Sequence, residues 1–212
     1  MNLQAKLLER FLRYVAITSQ SNAAVKTVPT TSGQRELAEL LKTELAELGL
    51  VDLEISEFSV LTGKLPANLP AGHHAVPAVG WVAHLDTVDV CLNADIHPHV
   101  VKNYQGGDIC LNEEKQIFLK VSEHPEIEKY IGQDIVVSDG TSVLGADDKA
   151  AIANVMVALE TLANDKTIYH GDIYVCFVPD EEIGLLGAKA IDFEKFPVDF
   201  AYTIDCCEQG EV

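Results

Sequence analysis

The stretch between Ala78 and Asp89 constrains this chain most. Val79, Trp81, Val82 and Ala83 make an apolar run of strand length that ends abruptly on His84 and Asp86. Strand side chains repeat every second residue, so His84 and Asp86 share a face. They also sit at the strand's carboxyl end, which is where open α/β sheets bind ligands. An imidazole held there, with a carboxylate two residues on, suits a metal ligand and its orienting partner, because a ligating histidine usually donates its other ring N–H to an acceptor. An H-x-D also arises by chance in an acid-rich chain, so the pattern needs company before it means a site.

Helical and strand periodicities alternate around that run. Leu7, Leu8, Phe11, Leu12, Tyr14 and Val15, set against Lys6, Glu9, Arg10 and Arg13, predict an amphipathic first helix. Thr31 with Gln34 reads as a capping box for a second helix carrying Leu37, Leu40, Leu41, Leu45 and Leu48, and Gly49 stops it. Strands are expected at 53–60, through the central run, at 172–178 and at 200–204, with 63–72 a loop or edge segment. Residues 91–138, interrupted by His97, Pro98, Gly106, Gly107 and Pro125, read as an insertion in the same domain with short strands at 117–119 and 135–137. A helix should begin near Asp147, marked by Ala151, Ile152, Val155, Met156, Leu159 and Leu162, and a shorter one should cover 185–191. Helices alternating with apolar strands predict an α/β layered fold whose central sheet is mostly parallel and flanked by helices.

Composition narrows the function classes. With 15 basic against 33 acidic residues the net charge is −18, which repels nucleic acid and anionic membranes and favours cations. The same charge also keeps a protein soluble. Cys91, Cys110, Cys176, Cys206 and Cys207 form an odd set without a C-x-x-C pair, which fits a reducing, cytoplasmic setting better than a disulfide framework. Lys6, Arg10 and Arg13 break the first apolar segment, so it does not read as a signal peptide. No apolar run approaches the roughly 20 residues a bilayer demands.

Further acids fall at element ends, as His84 and Asp86 do. Asp147 opens a helix, Glu181 and Glu182 follow the strand at 172–178, and Asp205 follows the strand at 200–204. Each has an ordinary reading: a helix cap for Asp147, a solvated turn for Asp180 to Glu182, a loop carboxylate for Asp205. Together they are harder to dismiss. Parallel strands would gather them at one sheet edge, where so many carboxylates repel without a cation. One imidazole with several carboxylates suits zinc, manganese or cobalt, and a shared carboxylate suits two ions. Other chemistries fare worse. There is no G-x-S-x-G and no H-E-x-x-H, and the glycine-bounded stretch 140–145 runs into Ala146 and Asp147 where a P-loop needs Lys and Ser or Thr.

The motifs HLDT, SDGTSVLGADDKA, HGDIYVCFVPDEEIG and AYTID, in that order, together with the connecting text LLERFLRYV, LPAN and NYQGGDI, resemble peptidase T, a tripeptide aminopeptidase of the co-catalytic zinc exopeptidases. The resemblance implies a three-layer α/β zinc-peptidase fold and two Zn2+ ions, with Co2+ or Mn2+ as substitutes. It implies His84 and Asp205 on one ion, Asp147 bridging, Glu182 on the second, Glu181 as general base and Asp86 orienting His84. The implied partners are short peptides with a free N-terminus, and a homodimeric full-length form stays open. A sister deacylase or carboxypeptidase, and a non-catalytic metal-binding module, are the rival readings. Two departures stand out. Cys206 and Cys207 replace the family's glycines, and residues 1–212 match only the first part of the catalytic domain, without a lid or dimerisation domain or the last metal-binding histidine. The expectation for the chain alone is therefore unequal metal sites and negligible peptidase activity.

Overall fold

The computed structural model describes residues 2–72, 74 and 76–205, so Cys206 and Cys207 lie outside the described residues. In chain order the main elements are α1 (Leu3–Val15), α2 (Ser32–Glu47), β1 (Val51–Ile55), β2 (Leu61–Leu65), β3 (Val79–His84), β4 (Pro98–Val101), β5 (Ile109–Asn112), β6 (Ile117–Leu119), β7 (Ile135–Ser138), α3 (Ala146–Asn164), β8 (Ile173–Val178) and β9 (Phe200–Thr203).

The principal sheet runs β1-β2-β8-β3-β9. It is mixed. β1, β2 and β8 pair antiparallel, whereas β8, β3 and β9 pair parallel, and the parallel half carries the ends that matter for function. β8 lies between two neighbours and is buried on both faces. Ile173, Val175 and Phe177 join the core shared with α1, α2 and α3, while Cys176 and Val178 pack with Val60 and Phe196 on the other side. A strand covered on both faces has to be apolar throughout, which explains why its sequence does not alternate.

Several expectations need correction. The strand expected over 53–60 stops at Ile55, where the chain turns through Ser59 at φ +63°, and β2 begins only at Leu61 and runs into the segment read as a loop. Gly63 disguised that strand, and there a Cβ would stand 2.4 Å from Leu53 Cδ2, which would have to turn aside. Over 185–191 only a 3-10 turn at Ala188–Ala190 forms, because Leu185 takes a positive φ. The insertion contains β4 paired with β7 and β5 paired with β6, around Tyr104, Ile109 and Ile127. β4 and β5 escaped notice because their short half-exposed runs carry little periodic signal. At α2 the capping box does not form. Thr31 is the N-cap residue, but its hydroxyl donates to Gln20 O at 2.8 Å and accepts from Gln34 Nε2 at 3.1 Å, so neither side chain caps a backbone N–H of the first turn. No helix among the described residues is long and apolar enough to cross a membrane.

Candidate metal centre

His84 is the last residue of β3, and three acids fix it. Its backbone N–H donates to Asp148 Oδ2 at 2.8 Å, and its Nε2 lies 2.8 Å from Asp147 Oδ1. Nδ1 stands 3.3 Å from Asp86 Oδ1, near enough for strong electrostatic coupling but off the line of a good hydrogen bond. Asp86 itself is fully buried and accepts the backbone N–H groups of Glu181 at 2.9 Å and Glu182 at 3.2 Å.

The start of α3 delivers two acids rather than one. Gly145, at φ +71°, turns the chain, and Asp147 and Asp148 are joined by a cis peptide and keep non-helical backbone angles, so the regular helix begins after them. Asp147 is therefore no helix cap, since its carboxylate faces His84. After β8 the chain doubles back: Gly184 and Leu185 donate to Glu181 O, and Gly187 donates to Pro179 O. A Cβ on Gly187 would come within 2.2 Å of that oxygen, so the tight return needs glycine.

The outcome is a convergent donor set. Ligand atoms of His84, Asp147, Asp148 and Asp205 lie within 4.8 Å of one another, as do those of His84, Glu181 and Glu182. Every site residue singled out from the sequence comes to this one edge. Asp148 was missed, although the doubled aspartate in GADDKA was the available signal. Asp180 was missed too, since it looked like part of a solvated turn and is in fact fully buried.

Electrostatics follow from the crowding. Burial works against a charged imidazole at position 84, but Asp86, Asp148 and Asp147 outweigh it and push the ring up to about 10. Burial drives Asp148 up to about 8, opposed by His84 and reinforced by Asp205 and Asp147. Glu181 and Glu182 are also raised by burial, with His84 opposing and neighbouring acids adding to the shift. Lys149, fully buried below the site, is lowered to about 7 by burial against the pull of Asp86, and its Nζ donates to Ile17 O at 2.7 Å rather than to the carboxylates. The donor set fits a divalent ion. Borderline nitrogen and hard oxygen donors face one another, and Asp86 stands 3.3 Å from Nδ1, the side of the ring where a metal-binding histidine keeps its acceptor.

A mixed α/β sheet with one imidazole and several carboxylates at its parallel strand ends defines the class, a protein with a candidate divalent-metal centre. A family model described as M42 glutamyl aminopeptidase matches residues 95–212, and the chain belongs to that family. It is 54% identical over 210 residues to a peptidase T-like protein of Yersinia pestis, covering 99% of this chain and 50% of that one. It is 44% identical over 206 residues to the peptidase T of Clostridium novyi, covering 97% and 50%. Among solved structures it is similar to an aminopeptidase PepT from Bacillus cereus, with TM-score 0.65, 27% identity and coverage of 96% of this chain and 43% of that one. A tripeptidase from Staphylococcus aureus gives TM-score 0.65, 26% identity and the same coverage. The chain spans about half the length of the curated relatives it matches.

Proposed function

We propose that this chain builds the metal centre of an aminopeptidase that releases the N-terminal residue from short peptides, tripeptides in particular. The observation that carries the reading is the convergence of His84 with Asp147, Asp205, Glu181 and Glu182 at one sheet edge. The relatives' names, peptidase T, aminopeptidase and tripeptidase, support the substrate class.

In this reading His84, Asp147, Glu182 and Asp205 would hold the zinc, and cobalt or manganese would suit the same donors. Bound ions of this kind polarise a scissile carbonyl and acidify a water. With metal bound, Glu181 would take a proton from the attacking water and return it to the departing amine, a task suited to a carboxyl that burial has raised above its ordinary range. Asp86 holds no ion; it faces His84 Nδ1 and seats the Glu181–Glu182 backbone.

The test is hydrolysis of Ala-Ala-Ala, its N-acetylated form and an N-acyl amino acid by the full-length protein, with and without added zinc. The expected result is metal-dependent cleavage of the unblocked tripeptide alone. Cleavage of only the blocked substrates would replace this reading with a deacylase or carboxypeptidase. Metal binding with no cleavage of any of them would leave a non-catalytic module.

A further inference from the structure

The acidic turn after β8 is gripped from a second side, by residues that the chemistry above does not use. Asp180 is fully buried and holds a φ of +53°. Its carboxylate accepts the Thr30 N–H at 2.8 Å on Oδ2, and the Thr30 hydroxyl and Gln34 Nε2, the latter at 2.7 Å, on Oδ1. Gln34 Oε1 accepts the Asp180 N–H at 2.8 Å in return. Thr30 and Gln34 flank the start of α2, and both are themselves buried.

That segment also touches the other half of the site. Asn22 N–H donates to Thr30 Oγ1 at 3.0 Å. Ser19 Oγ donates to Leu85 O at 2.7 Å, and Ser21 N–H donates to Thr87 O at 3.0 Å, so residues 19–34 run from the loop following His84 to the turn carrying Glu181. A buried acid needed only to fill space would be replaced at less cost by an apolar residue. What its charge-assisted bonds add is direction. They fix residue 180, which directly precedes Glu181 and leads its side chain into the site.

The geometry points to Asp180, with Thr30 and Gln34, as a positioning device for Glu181. The clamp fixes residue 180 from the α2 side, while Asp86 fixes residues 181 and 182 from the β3 side. This inference rests on Glu181 being the proton carrier proposed above. Asp180, Thr30 and Gln34 act through the backbone and touch no reacting atom.

Two variants and one rescue test it. Thr30→Val keeps the shape of the side chain and deletes the hydroxyl, Asp180→Asn removes one charged acceptor, and Thr30→Ser restores the hydroxyl. On the 212-residue chain, amide hydrogen exchange over residues 180–184 should quicken by about tenfold or more in Thr30→Val and Asp180→Asn and return toward wild type in Thr30→Ser. In the full-length protein, kcat for Ala-Ala-Ala should fall by about 10–100-fold with KM nearly unmoved, because geometry rather than binding is lost. Should Asp180→Asn fold poorly, Thr30→Val alone decides. Exchange unchanged in Thr30→Val, or a kcat loss that merely tracks the unfolded fraction and is not rescued by Thr30→Ser, overturns the clamp. A wild-type protein that cleaves no peptide would sink the aminopeptidase reading instead, and the exchange measurement would still decide the clamp.

Discussion

Asp86 and Glu181, 95 residues apart in sequence, are joined by the side chain of one and the backbone of the other: Asp86 Oδ1 accepts the Glu181 N–H at 2.9 Å. The same carboxylate receives Glu182 N–H and faces His84 Nδ1, so one buried acid sets the position of three groups in the site. Asp86→Asn should therefore lower zinc affinity or activity by about 10–100-fold without deleting a ligand. Calorimetric zinc titration and steady-state kinetics would check this, and a variant indistinguishable from wild type in both would remove Asp86 from its assigned place.

In the proposed reading Glu181 carries the proton and Glu182 holds metal, although the ligand atoms of both lie within 4.8 Å of each other and of His84. Glu181→Gln should retain zinc and lose rate by roughly 10²–10⁴, the usual contribution of a general base. Glu182→Gln should bind zinc more weakly from the outset. Metal content and kcat measured side by side in the full-length protein separate the two, and the reverse pattern would exchange the roles.

Away from the site, Glu160 on α3 pairs with Lys6 and with Arg10 Nη2 on α1, the latter at 3.1 Å. The bond from Lys6 and that from Arg10 hold its carboxyl below the usual range against the opposing effect of burial. A depressed carboxyl stabilises the fold above its unfolded value, and that contribution is lost as pH falls through the folded one. Glu160→Gln should cost about 1 kcal/mol at pH 7, the scale of a partly exposed ion pair, and nothing in strong acid. Urea melts at several pH values would show the two proteins converging as pH drops.

Gly33 sits in the first turn of α2 against the carbonyl of Thr18, and a Cβ there would lie 1.7 Å from that oxygen. Backbone cannot rotate aside as a side chain can. Gly33→Ala should destabilise by about 1–3 kcal/mol or more and loosen the segment that leads to Ser19 and Leu85. Thermal melting would measure the loss, and an unchanged midpoint would mean that α2 packs differently.

Much of this was legible in the sequence because apolar runs and element ends are local signals. The parity of a strand placed His84 and Asp86 together, and the order of motifs located Asp147, Glu181, Glu182 and Asp205. What escaped depended on backbone that sequence does not reveal. Asp147 and Asp148 look interchangeable until the non-helical start of α3 turns one toward the His84 ring and the other toward its N–H. Asp180 looks like one more solvated acid until a positive φ buries it against Gln34. β2 was hidden by a glycine that packs against Leu53 of the neighbouring strand.

The central claim, that His84 and its surrounding acids hold a divalent metal, is tested most directly by diffraction from zinc-soaked crystals of this chain, collected at the zinc absorption edge. The account predicts an anomalous peak about 2.0–2.2 Å from His84 Nε2 and from an oxygen of Asp147, with Asp205 alongside. Zinc found only at exposed histidines such as His97 or His124, with His84 Nε2 still bonded to Asp147 alone, would contradict it.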